Sequence, residues 1–179
     1  VSRVEKIRSE TVFEGEIATV RVEEFRHPDG SIARREVIGH PGAVAMVAYD
    51  QEFLYLVRQP REAVGEEALL ELPAGKLDVE GESPLDCARR ELAEEAGKAA
   101  SRWHELKRFW VSPGFAEEEL TVYLATELTD ASAESDEVER IEVVRWPLAD
   151  LDGAIAECRD AKSLIGLLIF RQLRAAGDA

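Results

Sequence analysis

Between Glu71 and Gly97 the chain reads ELPAGKLDVEGESPLDCARRELAEEAG, and no other stretch limits its possible folds so tightly. Leu85, Ala88, Leu92 and Ala96 recur at offsets of three and four, which on a 3.6-residue period lays one narrow apolar stripe along a helix. Ser83 before Pro84 supplies an N-cap and a first helical residue, and Gly97 stands where a helix end needs a residue tolerant of positive φ. The spacing predicts a helix with both ends marked and one face buried.

Glu91 and Glu95 lie one turn apart on that helix, with Glu94 beside them. Carboxylates gathered at one helix end repel each other unless a cation neutralises them. An acidic run is usually only a solvated face, but here the flanks point to chemistry. Arg90, four residues before Glu94, is expected to hold it as an i, i+4 pair, leaving Glu91 and Glu95 to share hard divalent cations such as Mg²⁺. The preceding Leu72-Pro73-Ala74-Gly75 is expected to be irregular backbone whose carbonyls complete the coordination.

These residues resemble the signature of the Nudix hydrolases: glycine, five residues, glutamate, seven residues, then Arg-Glu-aliphatic-any-Glu-Glu-any-Gly-aliphatic. Glu82 is followed after seven residues by Arg90, Glu91, Leu92, Glu94, Glu95 and Gly97, all in register. Two positions depart from the pattern. Gly75 precedes Glu82 by six intervening residues, and Lys98 stands where an aliphatic residue is usual.

The resemblance implies an α+β fold, an α/β/α sandwich with a mixed central sheet over residues 41–179, preceded by an N-terminal β-hairpin or sheet over residues 1–40. It also implies metal-dependent hydrolysis of a nucleoside diphosphate linked to another moiety. Glu91, Glu95 and the Ala74 carbonyl would be metal ligands, Glu94 would share a metal, and Arg90 and Glu82 would support them. Mg²⁺ is the expected cofactor, with Mn²⁺ or another divalent cation as a substitute.

Further phrases resemble the ADP-ribose pyrophosphatase branch. Arg58-Gln59-Pro60-Arg61 is similar to an element that presents arginine to the diphosphate, which points to Arg61 first and Arg58 second. Pro113-Gly114-Phe115, with Pro113 sixteen residues past Gly97, is similar to the phrase that marks this branch, and places Gly114 and Glu71 among substrate-binding candidates. In that branch a glutamate from a loop near the end of the sheet takes the proton of the attacking water; Glu139 fits by position, with Glu137 the alternative. The N-terminal segment would form a homodimer, with Arg34 or Arg35 reaching across it.

The residues themselves support one ordinary domain: 179 residues, 45% apolar, bury a sizeable core. Gly42–Asp50 and Phe53–Gln59 are strongly apolar, as strands covered on both faces are. Ile17–Phe25 and Ile32–Ile38 flank a His27-Pro28-Asp29-Gly30 turn and read as a hairpin. Strands are also expected at Trp103–Val111, Leu120–Leu128 and Ile141–Trp146, a polar loop at Thr129–Glu139, and packing helices at Leu148–Cys158 and Ala161–Arg174.

A formal charge of −15, from 22 basic and 37 acidic residues, argues against general affinity for nucleic acid or anionic membranes. An anionic substrate must then be drawn in by metal and local arginines. Cys87 and Cys158 sit among aliphatic neighbours and read as packing residues suited to a reducing cytoplasm. No apolar run approaches the roughly 18 residues of a membrane span. A nucleotide-sensing binding module would be the non-enzymatic alternative, but such modules tend to lose a signature glutamate, and none is lost here.

Overall fold

The computed structural model describes residues 3–132 and 140–178. Two compact units emerge from it. The first is the chain through Gly42 together with Trp110–Glu119; the second comprises Ala43–Phe109 and the chain from Leu120 onward.

In the first unit, β1 (Glu5–Glu14), β2 (Thr19–Arg26) and β3 (Ile32–Gly39) form an antiparallel sheet in sequence order. The expected hairpin is β2–β3, closed by a turn in which the Gly30 N–H donates to the His27 carbonyl at 2.9 Å. The expectation missed β1, whose residues are exposed on both faces apart from Ile7; a strand that buries neither face leaves no alternation to read. The Ser112–Phe115 turn belongs to this unit, where Ile38 N–H donates to the Phe115 carbonyl at 2.7 Å and Glu117 N–H to the Ile38 carbonyl at 2.8 Å.

The second unit is built on β4 (Ala43–Tyr49), β5 (Phe53–Arg61), β6 (Glu66–Glu71), β7 (Ala74–Lys76), β8 (Lys98–Trp110), β9 (Glu119–Asp130) and β10 (Glu142–Pro147). The strand order is β10-β5-β4-β9-β8, with β6 on β5 and β7 on β4. The β4–β9 pair is parallel, whereas β4–β5, β4–β7, β5–β6 and β5–β10 are antiparallel, so the sheet is mixed. The helices are α1 (Pro84–Ala96), α2 (Leu151–Glu157) and α3 (Ala161–Ala176).

Successive strand side chains point to opposite faces, and both faces of this sheet are covered. Val44, Met46, Ala48, Tyr55, Tyr123 and Ala125 pack with Cys87, Ala88, Leu92 and Ala96 of α1. Ala45, Val47, Leu54, Leu56, Val122 and Leu124 pack with Ala154, Leu167 and Phe170 of α2 and α3. This is the α/β/α sandwich, and it explains why Gly42–Ala48 reads as an unbroken apolar run. Each fully buried leucine, such as Leu92, contributes about 1.5–3 kcal/mol.

Several boundaries differ from expectation, among them the start of β8, at Lys98 rather than Trp103. Ala74–Lys76 is a short strand, its residues paired with Ala45, Val44 and Ala43, rather than irregular backbone; the pairing partner lies some thirty residues upstream and leaves no local trace. Strand β9 continues through Asp130, into the segment expected to be loop, where Lys98 Nζ meets Asp130 at 2.5 Å and Ala131 N–H donates to the Gly97 carbonyl at 3.0 Å. Among the described residues no helix is long and apolar enough to cross a membrane.

Candidate active site

Helix α1 starts and stops where its sequence dictates. Ser83 Oγ accepts from the Asp86 N–H at 3.2 Å, Pro84 opens the helix, and Gly97 closes it with φ 62°, its N–H donating to Ala93. The stripe of Cys87, Ala88, Leu92 and Ala96 locks one side to the sheet, which fixes where Glu91, Glu94 and Glu95 project.

Arg90 gathers the carboxylates. Its Nε and Nη2 donate to Glu82 Oε1 and Oε2 at 2.9 and 3.0 Å, while Nη1 donates to Glu91 Oε1 at 2.8 Å and Glu94 Oε2 at 3.0 Å. The pairing with Glu94 was legible; the clasp on Glu82 and Glu91 extends it, because a planar guanidinium has donors enough for all three. The Glu82 hydrogen bonds, with the charge of Glu91 adding, raise the Arg90 pKa well above its ordinary value. In return Arg90 holds the Glu82 carboxyl below the usual range. Cys87 lies behind this cluster with Sγ 3.3 Å from the Lys76 carbonyl, and burial, reinforced by Glu91 and Glu82, pushes its thiol up to about 12. It is a packing residue, as expected.

Strand β7 supplies the facing wall. Glu95 is only 7% exposed, and its Oε2 accepts from the Ala74 N–H at 2.8 Å. The glycine at 75 is required by close approach: a Cβ there would fall 2.1 Å from Glu91 Cγ and Cδ. Glu91 therefore lies directly against bare backbone.

Arg61, at the end of β5, grips Glu71 in fork geometry, Nε to Oε1 at 2.6 Å and Nη2 to Oε2 at 2.9 Å. Glu71 is 1% exposed and also receives Lys162 Nζ from α3. Burial pushes the Glu71 carboxyl up, but Arg61 and Lys162 outweigh it and the net shift is downward. The Arg61 charge is held chiefly by Glu71, with Glu95 and Asp160 adding to it. Arg61 thus lies within electrostatic reach of both α1 and α3. Glu71, expected at the substrate, is enclosed by these two cations. Arg58 is directed elsewhere, to Glu157 of α2 and, at 3.5 Å, the Ala68 carbonyl. Lys162, Asp160 and Ser163 went unrecognised in the sequence; the one available signal was an Asp-x-x-Ser helix start at Asp160.

In the first unit Arg35 and Gly114 line one cavity of about 320 Å³, together with Phe25 and Phe115. Glu23 also lines it, 1% exposed, with Lys6, Ser9 and Arg21 all donating to Oε1 at 3.1 Å. Burial pushes Glu23 up, yet these donors bring its pKa below the ordinary value. Arg35 Nη1 donates to the Arg34 carbonyl at 2.9 Å. Glu137 and Glu139 lie outside the described residues.

A sandwich that carries an arginine-clasped row of glutamates on one helix, against a glycine-bearing strand, is the arrangement that the resemblance to the Nudix hydrolases implies. The "NUDIX domain" family profile matches residues 39–163, and the "Nucleoside diphosphate sugar hydrolase N-terminal domain" profile matches residues 4–38. The chain belongs to the Nudix family and is a Nudix hydrolase, an enzyme class that cleaves nucleoside diphosphates linked to another moiety. An ADP-ribose pyrophosphatase of Bacillus subtilis (strain 168) is 40% identical over 178 residues, covering 97% of this chain and 95% of the relative. A second, from Mycobacterium tuberculosis, is 47% identical over 127 residues, 70% of this chain and 61% of the relative. The crystal structure of an ADP compounds hydrolase matches with a TM-score of 0.86 at 26% identity, covering 100% of this chain and 98% of that one.

Nudix hydrolases are generally dependent on divalent metal, and the donors here fit one: all are hard oxygens, the kind Mg²⁺ takes. Among the described residues no group of three His, Cys, Asp or Glu side chains is arranged to hold a metal by itself. Mg²⁺ sites commonly use one or two carboxylates and leave the remaining positions to water and substrate phosphate, so this arrangement is compatible with such a site.

Proposed function

We propose that the chain hydrolyses ADP-ribose to AMP and ribose 5-phosphate, using Mg²⁺, with Mn²⁺ or another divalent cation as a substitute. The observation that carries the chemistry is the Arg90 clasp on Glu82, Glu91 and Glu94 beside the Glu95–Ala74 contact. The choice of substrate is supported by the likeness to ADP-ribose pyrophosphatases over nearly the whole chain.

Glu91, Glu95 and the Ala74 carbonyl would hold the cation, Glu94 would share it, and Arg90, anchored on Glu82, would keep the carboxylates from spreading. Bound divalent cations neutralise the diphosphate and lower the pKa of water. Arg61 would bind the diphosphate oxygens, and it presents 42% of its side chain to solvent for this; Arg58, the second candidate, would have to leave Glu157 to join it. Glu139 or Glu137 would take the proton of the attacking water. Arg34 or Arg35 of the N-terminal sheet would reach across a homodimer to the partner's substrate, and Gly114 would be a further substrate contact.

A homodimer through residues 1–40 belongs to this reading. Val12, Phe13 and Ile32 on the N-terminal sheet, and Ile17 in the bend between β1 and β2, are each more than half exposed, and apolar surface of that kind favours burial against a second copy. Light scattering tests it, and a monomeric mass at micromolar concentration counts against it. A cytoplasmic location is supported by two buried cysteines, neither in a disulfide.

Nucleotide sugars are the second reading, favoured by the name of the family that matches residues 4–38. The deciding experiment is a panel of ADP-ribose, GDP-mannose, NADH and diadenosine polyphosphates with Mg²⁺ and with Mn²⁺, products separated and compared by kcat/KM. Another diphosphate hydrolysed at least about tenfold more efficiently than ADP-ribose overturns the substrate assignment.

A further inference from the structure

The first turn of α3 reaches the strand that leads into the active site. Asp160 caps the helix, its Oδ2 accepting from the Ser163 N–H at 3.0 Å and from Ser163 Oγ at 2.6 Å. Ser163 Oγ in turn accepts from the Leu72 N–H at 2.7 Å, so one hydroxyl joins the cap to the backbone two residues before Ala74. Between them Lys162 Nζ bridges Asp160 Oδ2, at 2.9 Å, and Glu71 Oε2.

Glu71 therefore meets two cations, and they differ in exposure. Lys162 shows 16% of its side chain to solvent and Arg61 shows 42%. A diphosphate arriving from solvent meets Arg61, whose fork on Glu71 uses Nε and Nη2 and leaves further guanidinium donors for the substrate. Were Lys162 absent, Arg61 would be the one cation left on Glu71 among the described residues, and its charge would be offset by a carboxylate that is 1% exposed. A buried carboxylate without its partner is strongly unfavourable.

We propose that Lys162 is a positioning residue of the diphosphatase: it stays on Glu71 as the standing counter-ion, so that the charge of Arg61 is available to the diphosphate of the substrate. The inference rests on the proposed role of Arg61 in binding that diphosphate. It assigns work to α3, whose buried residues past the first turn, Gly166, Leu167 and Phe170, only pack.

The test compares Lys162→Met, Lys162→Arg, Glu71→Gln and the Glu71→Gln/Lys162→Met double variant with wild type. KM and kcat are measured on ADP-ribose with Mg²⁺, ADP-ribose binding is measured by calorimetry with Ca²⁺ in place of Mg²⁺, and a melting curve accompanies each variant. Lys162→Met is expected to raise KM, and to weaken calorimetric binding, by about tenfold or more while kcat changes less, since Glu71 then offsets the charge of Arg61 in ground and transition states alike. Lys162→Arg should restore most of the loss. With Glu71 neutralised, the Lys162→Met change should have little further effect, which also keeps the test valid if Lys162→Met alone folds poorly. A folded Lys162→Met with wild-type KM and affinity, or an equal loss in the Glu71→Gln background, overturns the inference while leaving the proposed function in place. A wild type that neither binds nor hydrolyses ADP-ribose overturns the substrate reading first and this inference with it.

Discussion

Gly75→Ala isolates one contact on which the active site depends. The added Cβ would lie 2.1 Å from Glu91 Cγ and Cδ and 2.2 Å from Oε1, whereas carbon atoms rest at about 3.5 Å or more. Glu91 must therefore move by about 1.4 Å or β7 must part from β4. The side chain is the softer of the two, but it is tethered to Arg90 at 2.8 Å. A displacement of that size costs a hydrogen bond between partly exposed groups, about 1 kcal/mol, or a few degrees in Tm for a chain of this length. The effect on turnover should be far larger, about 100-fold in kcat/KM, because misplacing a ligating group by about 1 Å has consequences of that order. The assay is steady-state hydrolysis of ADP-ribose with Mg²⁺ beside thermal melting. Truncating Glu91 removes all three clashing atoms, so Gly75→Ala/Glu91→Ala should melt like Glu91→Ala alone, a non-additive result. Activity within threefold of wild type in Gly75→Ala, or fully additive melting shifts in the double variant, would falsify the close-approach argument.

Other consequences of the geometry can be checked alongside. Arg90→Lys gives up the fork on Glu82 and the shared contacts to Glu91 and Glu94, and should lower kcat/KM by about 10–100-fold and weaken the Mg²⁺ dependence in a metal titration; an unchanged Mg²⁺ half-saturation contradicts this. Glu95→Gln keeps an acceptor for the Ala74 N–H but removes a ligand charge, so kcat should drop by about two orders of magnitude or more with a nearly unchanged melting curve; near-normal turnover removes Glu95 from the metal site. Glu71 and Glu82 lie below their ordinary value of 4.5 and Asp160 below 3.8 when folded. Groups depressed in this way stabilise the fold above those ordinary values and lose that contribution as pH falls through the folded ones. Tm should accordingly be nearly flat from pH 7 to about 5 and fall below about 4.5, and a constant Tm down to pH 3 would contradict the assigned ion pairs.

What could be read from the sequence follows the range of the interactions involved. The ends of α1 are local: Ser83, Pro84 and Gly97 act within one turn of themselves, and the structure places all three as expected. The carboxylate row is local as well, set by helix periodicity, and so is the Arg90–Glu94 pair. The Glu82 clasp spans a loop whose course no periodicity predicts, and only the family resemblance pointed to that glutamate. Strand β7 and the membership of Trp110–Glu119 in the first unit depend on partners distant in sequence, so nothing in Leu-Pro-Ala-Gly or Ser-Pro-Gly-Phe announces them.

The Glu71 site shows the same limit for charge. A glutamate beside Leu-Pro-Ala-Gly can be met by a ligand, by water or by the protein, and which one applies is decided by whatever packs over it. Here that is the first turn of α3, 91 residues along the chain. Asp160 had a local reason to be there as a helix cap, and capping alone would have accounted for it and Ser163. Lys162 has no such local reason, since a cation near a helix N-terminus opposes the helix dipole. Its cost is offset in part by Asp160, two residues away, and further by Glu71, both of which it touches, so the position makes full physical sense only once strand and helix are brought together. A locally disfavoured charge held by a contact next to the active site is what a positioning role for Lys162 requires.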